Sequence, residues 1–387
     1  MEVKQVYEFV NTAAQESIGE SAVLNEDLSN VVDLGTAIFN GEAFDKYVKS
    51  LVNHIGKVIF VNRPYRGSAP SVLMDAWEYG SVVEKISSEM PEAVETEDWE
   101  LTDGASYDPN VFHQPKAEAK FFNKMTTFEI DRSITERQVK QSFSSATQLN
   151  AFVSMLFNEV EKALTLRNDA LIMRTINNMI VETMYDQFNG GAITGAGGPK
   201  AVNLLSRFNT QYSKNLNAAT AVLDPEFIRY AAYTMALYVD RLTRMSTLFN
   251  VGGKPRFTPK DLQHIVMLSE FRAAADVFLQ STTFHDEYTK LVNAETVPFW
   301  QGSGTDYAFS NTGKIDAVSA CGHNQTVTGV LGCIWDRDAL GVMNFNSRVT
   351  TNYNPKAEFT NYFYKQDAGY FNDTNENFVV FLVADPA

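Results

Sequence analysis

Residues 145–191 read SATQLNAFVSMLFNEVEKALTLRNDALIMRTINNMIVETMYDQFNGG. Ser145 and Gln148 stand where a capping box satisfies the first backbone donors of a helix, and Asn189-Gly190-Gly191 is a left-handed stop. The helix between these signals spans about 43 residues and about 60 Å, against about 11–12 residues for an average helix. Its apolar residues recur at steps of three or four, which places them on one helical face: Leu149, Val153, Leu156, Val160, Ala163, Leu166, Ala170, Met173, Ile176, Ile180 and Met184.

The composition indicates a folded protein with a large core. Of 387 residues, 44% are hydrophobic and 20% charged, which is too few charges for a disordered chain. The 27 Phe and 16 Tyr residues favour extensive cores and interfaces, because aromatic side chains bury large areas. The net charge of −15, without a basic stripe, excludes a dedicated reader of nucleic-acid sequence.

The chain carries no predicted targeting or membrane signal. Its first residues, MEVKQVYEFV, lack the basic region and apolar core of a signal peptide. No run approaches the roughly 18 apolar residues of a membrane span, so we expect no membrane partner. The two cysteines, Cys321 and Cys333, fit neither a zinc pair nor a disulfide framework and are predicted to be reduced, buried thiols.

The first third of the chain predicts an arm followed by a long β excursion. Residues 3–15 and 41–52 have amphipathic helical patterns, with an irregular segment between them. Strands are predicted over Lys57–Asn62, Trp77–Ile86 and from Ala117 through Phe122. An excursion of roughly 60 residues is usually functional or an interaction element.

The remainder alternates helices and strands, which predicts an α+β fold. A strand at Thr126–Ile134 and a short helix at Thr135–Phe143 lead into the long helix, and residues 204–217 are ambiguous. Asp224 is a plausible cap for the next helix. Further elements are predicted, in order, as a strand at Ile265–Leu268, a helix at Glu270–Leu279, and strands at Leu331–Trp335, Gly341–Asn344, Tyr362–Tyr364 and Asn377–Val383.

The motifs that resemble chemical sites fail on inspection. The glycine loop 190–200 is not a phosphate-binding loop, because Pro199 stands where glycine must precede the lysine. Asp373, Asn375 and Asn377 have calcium-loop spacing, but Phe378 replaces the required glycine, and a polar turn before the last strand is predicted instead. We therefore predict no catalytic, cofactor-binding or metal-binding residues, and a protein that is not an enzyme.

The acidic stretch Glu84–Asp108 leaves two interpretations open. One is a solvated loop that charge keeps soluble. The other is an interaction face, in which Glu95, Glu97 and Glu100 meet basic residues of another subunit. The candidate basic partners are Arg132, Arg137 and Lys140.

The order of these parts resembles the major capsid proteins of tailed phages, which have the Hong Kong 97-type fold. The most specific stretch is MTTFEIDRSITERQVKQSFSSATQLNAFVSMLFNEVEKAL at residues 125–164, with FNGG at 188–191 ending the long helix. VLGCIWDRDALGVMNFNSRV, then YFYK and NFVVFLV, look like the closing strands of that family. IWDRDAL resembles the short-tailed, phi-twenty-nine-like branch.

The resemblance implies a wedge-shaped subunit that tiles into hexamers and pentamers of an icosahedral shell around double-stranded DNA. Residues 1–56 would form an N-terminal arm, 57–124 the E-loop, and 125–205 the P domain with the spine helix. Residues 206–340 would form the A domain, and 341–387 the closing strands of both domains. Some members of the family that the chain resembles carry a longer N-terminal scaffold segment, which is cleaved later. Only about 56 residues precede the E-loop here, so the resemblance implies a separate scaffolding protein.

Assembly would take place in the host cytoplasm, with a portal protein as a further partner and the DNA enclosed without sequence-specific binding. Four aromatic residues would be buried only by a neighbouring subunit, namely Trp77, Tyr79, Phe121 and Phe122. Two other functions are weighed against this one. An encapsulin-like nanocompartment has the same fold around a protein cargo, and a carboxylate-based hydrolase would need a concave pocket with two carboxylates about 5–9.5 Å apart.

Overall fold

A computed structural model describes residues 69–74, 83–91, 112–135, 146–193, 195–280, 294–301, 312–319 and 321–385, with isolated positions between 67 and 110. In the first turns of the long helix, up to residue 157, it describes the backbone and few side chains. The predicted helices over 3–15 and 41–52, the strand Lys57–Asn62 and most of the helix Thr135–Phe143 lie outside the described residues.

Of the predicted helix caps, Asp224 is confirmed, and Ser145 lies outside the described residues. Asp224 caps α4 by accepting hydrogen bonds from the backbone N–H groups of Glu226 and Phe227, and Asn203 caps α2 in the segment that the sequence left ambiguous. The helices are α1 (Ala146–Phe188), α2 (Leu204–Tyr212), α3 (Ala218–Ala221), α4 (Pro225–Leu242) and α5 (Ser269–Gln280), with a 3₁₀ turn at Lys260–Leu262.

Four sheets hold the described strands. A five-stranded sheet has the order β5-β13-β10-β6-β7, a four-stranded sheet has the order β1-β11-β12-β4, and β2-β3 and β8-β9 form two-stranded sheets. The strands are β1 (Leu73–Met74), β2 (Val83–Ser88), β3 (Ala117–Phe122), β4 (Met125–Thr135), β5 (Ala201–Asn203), β6 (Gln263–Leu268), β7 (Glu295–Val297), β8 (Ile315–Val318), β9 (Asn324–Val327), β10 (Val330–Asp336), β11 (Leu340–Asn354), β12 (Phe359–Asn372) and β13 (Phe378–Leu382). The predicted α+β class is confirmed.

The chain divides into two compact units. The smaller one contains, among the described residues, 130–135, 146–163 and 349–364, and the larger one contains the others. No helix in the described part combines the length and apolar character that crossing a membrane requires.

The five-stranded sheet separates two hydrophobic cores of the larger unit. In β13, Phe378 and Val380 point into the core that contains Ile176 and Ile180 of α1, while Val379 and Phe381 point into the core formed with α2, α4 and α5. All seven residues of β10 are buried as well. A sheet covered on both faces explains why its central strands are continuous apolar runs rather than alternating ones.

The long helix ends where the sequence predicted, but the predicted apolar face is not buried along its whole length. Asn189 and Gly190 have φ values of 51° and 70°, and the Gly190 N–H donates to the Tyr185 carbonyl at 2.9 Å, so the left-handed stop is confirmed. Leu166 is 55% exposed, and Ala170 is exposed too. From residue 175 to 184 the helix is instead buried on nearly every side, because strands and loops cover it all round. Predicted positions Leu149, Val153 and Leu156 lie outside the described side chains.

Two buried threonines of this segment bond within the helix, and Asn177 bonds to a distant carbonyl group. The hydroxyl groups of Thr175 and Thr183 donate to the carbonyl oxygens of Leu171 and Met179, at 2.8 and 2.9 Å. The side chain of Asn177 donates to the Trp300 carbonyl at 2.9 Å. These bonds let polar residues sit inside a helix that is buried all round.

Candidate functional site

Strands β2 and β3 form an antiparallel hairpin whose two faces differ in chemistry. Val83 pairs with Phe122, Lys85 with Lys120, and Ile86 with Ala119. Because successive side chains of a strand point to opposite faces, each of these pairs lies on one face of the hairpin. One face carries the lysines and is half-buried, and the other is exposed. The predicted strand ending in Phe122 is confirmed, while only the end of the predicted strand Trp77–Ile86 falls on described residues.

The outer face of the hairpin exposes two large apolar side chains. Ile86 is 67% exposed and Phe121 is 62% exposed. Ile86 stands opposite Ala119, so Phe121 is its diagonal neighbour across the ladder, within reach of an aromatic ring. Ala117 and Ala119 are exposed on the same face, and their small side chains project less than those of Ile86 and Phe121. The outer face therefore presents two large apolar side chains beside the polar residues Glu84 and Ser88, which pair with Phe121 and Ala117. Exposed apolar side chains of this size are a typical feature of interaction sites.

The inner face of the hairpin rests on an ionic cluster that we define as Lys85, Lys120, Arg256, Asp373 and Glu376. The Lys85 Nζ lies 2.9 Å from Asp373 Oδ2 and 2.7 Å from Glu376 Oε1. The Lys120 Nζ lies 2.9 Å from Asp373 Oδ1, and the Arg256 Nε lies 3.2 Å from Glu376 Oε1. Each strand of the hairpin thus contributes one lysine to the same buried carboxylate, whose side chain is 3% exposed.

The turn between β12 and β13 holds the two carboxylates in place. The backbone N–H of Asp373 donates to the Ala339 carbonyl at 2.6 Å, and the N–H of Asn375 donates to Asp373 Oδ1 at 3.1 Å. The predicted polar turn before the last strand is confirmed. Within the described residues, no group of three His, Cys, Asp or Glu side chains has the geometry of a metal site.

The charges of the cluster stabilise each other. Burial on its own would raise the pKa of Asp373, but the hydrogen bond from Lys120 and the adjacent charge of Lys85 lower it below its ordinary value. Burial would likewise lower the pKa of Lys85, but the Glu376 and Asp373 carboxylates raise it. The ion pairs therefore persist over the whole neutral range of pH.

Asp336, at the end of β10, is a buried carboxylate with the opposite behaviour. Burial raises its pKa, and the nearby charges of Glu376 and Asp338 raise it further, although the side chain accepts hydrogen bonds from the Asp338 N–H at 2.9 Å and the Thr258 hydroxyl at 2.7 Å. An acid whose pKa is higher when folded than when unfolded opposes folding once it ionises. The ionised Asp336 therefore costs stability at neutral pH.

We expect Asp336→Asn to change the unfolding free energy at pH 7 by no more than about 1 kcal/mol, because it removes that charge but keeps only one of the two oxygens that accept hydrogen bonds from Asp338 and Thr258. The benefit of removing the charge shrinks as pH falls through the raised pKa of Asp336, and it is lost below the ordinary Asp pKa of about 3.9, where the carboxyl group is protonated in both states. Urea unfolding of both proteins at pH 7 and pH 4 measures the difference. A loss of more than about 1 kcal/mol at pH 7 contradicts the prediction.

A second polar cluster joins α1 to the loop between β8 and β9. Glu182 has a side chain that is 5% exposed, and it accepts a hydrogen bond from the Cys321 N–H at 3.3 Å. The His323 Nδ1 lies 3.4 Å from the same carboxylate, and the His323 ring stacks on Tyr185 with centroids 3.8 Å apart. Burial would raise the pKa of Glu182, but hydrogen bonds from Ser319, Cys321 and His323 lower it. This cluster anchors the loop. Cys321 is exposed there, so the prediction of buried thiols is wrong for Cys321, whereas Cys333 is buried.

The structure places only some of the predicted contact residues. Phe121 lies on the outer face of the hairpin, and Glu95 and Arg132 are exposed. Phe122 lies on the inner face and packs against Phe371 of its own chain, with ring centroids 5.2 Å apart. Whether these residues contact another subunit stays a prediction. Six predicted positions lie outside the described residues: Trp77, Tyr79, Glu97, Glu100, Arg137 and Lys140.

The ionic cluster has no clear signature in the sequence. A weak signal was available, because lysines at 85 and 120 stand within predicted strands among apolar neighbours and imply a buried or paired charge. Nothing in the sequence indicates which carboxylates they meet, since Lys120 and Asp373 are 253 residues apart.

Comparisons with known proteins identify the family. The sequence model of the Phi29-like phage major capsid protein family matches residues 8–382. The fold is similar to the capsid structure of Staphylococcus phage Andhra, with a TM-score of 0.54, 9% identity, and coverage of 85% of this chain and 87% of that chain. No curated protein sequence matches the chain.

A second solved structure has a similar fold. The chain aligns with one from the structure of the head fiber and inner core protein gp22 of native bacteriophage P68, with a TM-score of 0.54, 8% identity, and coverage of 84% of this chain and 87% of that chain. At such identities the likeness shows the fold alone, whereas the family match spans nearly the whole sequence. The chain therefore belongs to the Phi29-like phage major capsid protein family, and it is a self-assembling subunit of a bacteriophage shell.

Proposed function

We propose that the subunits assemble through the outer face of the β2–β3 hairpin, which docks on a neighbouring copy of the same chain. The observation that carries this proposal is the pair Ile86 and Phe121, which are 67% and 62% exposed on a hairpin fixed to its own subunit from the other side. When a neighbouring subunit covers two large apolar side chains, the loss of their contact with water lowers the free energy of the assembled state. In a shell, every copy both gives and receives this contact.

The domain plan of the family supports this role for the hairpin. We propose that residues 57–124, which contain β2 and β3, form the E-loop, and that 1–56 form the N-terminal arm. Residues 125–205, with the helix α1, would form the P domain, 206–340 the A domain, and 341–387 the closing strands. Phe121 then lies on the element that reaches toward a neighbour.

Charge provides a second kind of contact in this proposal. The acidic residues Glu95, Glu97 and Glu100 of one subunit would face Arg132, Arg137 and Lys140 of the next. Glu95 and Arg132 are both exposed, which such a contact requires. Complementary charges of this kind steer association and fix its register more than they add affinity.

The partners beyond the shell are inferred from charge and from the family. The net charge of −15 suits an inner wall that encloses double-stranded DNA without gripping it, since DNA affinity depends on cationic contacts with phosphates. We propose a separate scaffolding protein, a portal protein, and assembly in the host cytoplasm. In this role the protein is structural rather than an enzyme.

Electron microscopy of the purified protein, alone and co-expressed with its scaffolding protein, tests the proposal. We expect closed shells or tubes tens of nanometres across, because each subunit makes several linked contacts. Nucleic acid inside shells isolated from infected cells fits the phage role, and a packed protein cargo would instead favour an encapsulin-like compartment. A protein that stays monomeric under every condition contradicts the proposal.

A further inference from the structure

The hairpin is held to its subunit by charge as well as by packing. Below its inner face, Phe122 contacts Phe371 as the apolar part of the attachment. Around that contact, Lys85 and Lys120 converge on Asp373, and Lys254 pairs with Glu118 of β3 at 2.9 Å. Both strands are therefore tied to one turn at Asp373–Glu376.

The ties are specific in geometry. The Lys85 Nζ also donates to the Asp338 carbonyl at 3.3 Å, and the Lys120 Nζ to the Thr374 hydroxyl at 3.3 Å. The Lys120 Nζ lies 5.6 Å from the centre of the Phe122 ring, where the cation meets the ring face. These bonds fix the two lysines in direction, and since the lysines belong to paired positions of the ladder, they fix the orientation of the hairpin.

We propose that the ionic cluster is a positioning site, in which Asp373 holds Lys85 and Lys120 so that the outer face of the hairpin is presented to a neighbouring subunit at a set angle. This inference rests on the proposed role of that face in assembly. Lys85, Lys120 and Asp373 act through the hairpin, since the cluster lies on the inner face, opposite Ile86 and Phe121. Loss of the cluster frees the hairpin without removing a residue of the contact surface.

An experiment can separate the effect of the cluster on the hairpin from its effect on the stability of the whole subunit. Asp373 is buried in the turn that leads into β13, so a variant there affects folding as well as the hairpin. Lys120 is the better probe, because its side chain is 37% exposed and its removal leaves Asp373 paired with Lys85. Lys120→Met keeps the apolar stem and removes the charge, and Lys120→Arg keeps the charge.

Hydrogen–deuterium exchange on the purified full-length protein, below the concentration at which shells form, tests the hairpin directly. For Lys120→Met we expect amide exchange in Val83–Ser88 and Ala117–Phe122 to rise by about tenfold, with exchange in Phe378–Leu382 unchanged. Lys120→Arg restores the protection. Lys214→Met, which breaks the exposed Lys214–Glu226 pair, leaves the hairpin unchanged.

The outcomes distinguish this inference from the proposed function. Unchanged hairpin exchange in both Lys120→Met and Asp373→Asn overturns the positioning site, whatever the proteins do in assembly. A rise that extends equally to Phe378–Leu382 also overturns it, because it indicates general destabilisation. If exchange rises as expected and Lys120→Met forms regular shells at the normal rate, the pose of the hairpin does not control assembly and the inference fails. If the wild-type protein forms no shells, the proposed function fails while the exchange experiment still reports on the cluster.

Discussion

The double variant Ile86→Asp and Phe121→Asp is expected to fold as the wild type does and to form no shells. Both side chains are more than 60% exposed in the subunit, at 67% and 62%, so replacing them removes little packing within the chain. At an interface, each substitution removes about 1.5–3 kcal/mol of favourable free energy from apolar burial. It also adds the cost of burying a carboxylate. Because a closed shell repeats the contact in every subunit, a loss of this size prevents assembly.

Particle counts by electron microscopy, together with circular dichroism of the soluble subunit, measure this outcome. A control with the same two added charges is Tyr233→Asp with Val277→Asp, because these side chains are 62% and 63% exposed on helices α4 and α5. We expect the control to assemble. Normal shells from the hairpin variant show that its outer face is not the contact, and loss of shells in both proteins traces the effect to charge alone.

Gly329→Ala is expected to lower the unfolding free energy by about 2–4 kcal/mol or to prevent folding. Gly329 lies between β9 and β10 with a φ of 71°, and its carbonyl accepts a hydrogen bond from the Val383 N–H at 2.7 Å. A Cβ atom at this position would stand 2.1 Å from the Val383 carbonyl oxygen. Backbone atoms cannot move aside as a flexible side chain does, so the segment at Val383, which follows β13, has to move away from β10 and open the core.

Gly253→Ala separates steric contact from backbone strain. Gly253 has a similar φ of 63°, and a Cβ atom there meets nothing within 4 Å. We expect a loss of about 1 kcal/mol, from the left-handed conformation alone. Thermal unfolding of Gly329→Ala and Gly253→Ala gives the comparison. Equal losses of unfolding free energy would show that the close contact with Val383 does not destabilise the protein.

The elements that the sequence predicted well are those specified by neighbouring residues. The end of α1 depends on Asn189 and Gly190, and the start of α4 on Asp224, which are local signals. The strands β10 and β13 are continuous apolar runs, as buried strands require. The resemblance to phage capsid proteins placed these elements in order and led to the correct family.

The sequence did not predict features that depend on distant partners. Leu166 and Ala170 fit the helical period, yet they are exposed, because periodicity indicates a face and not what covers it. The ionic cluster joins Lys85 to Glu376 across 291 residues, and no spacing rule relates such positions. Its members resemble ordinary surface charges until the fold brings them together.

The central sheet is buried on both faces, so the contrast between a buried and a solvated face cannot fix the register of its strands. When one face of a sheet is solvated, a slip by one residue exposes the core side chains, and this cost fixes the alignment. In β13 a slip merely exchanges Val380 and Phe381 between two apolar cores. Alignment must then be encoded by shape. Gly332 provides such a constraint on register. A Cβ atom at this position would lie 2.8 Å from the Val266 carbonyl oxygen, so only this residue of β10 fits opposite Met267.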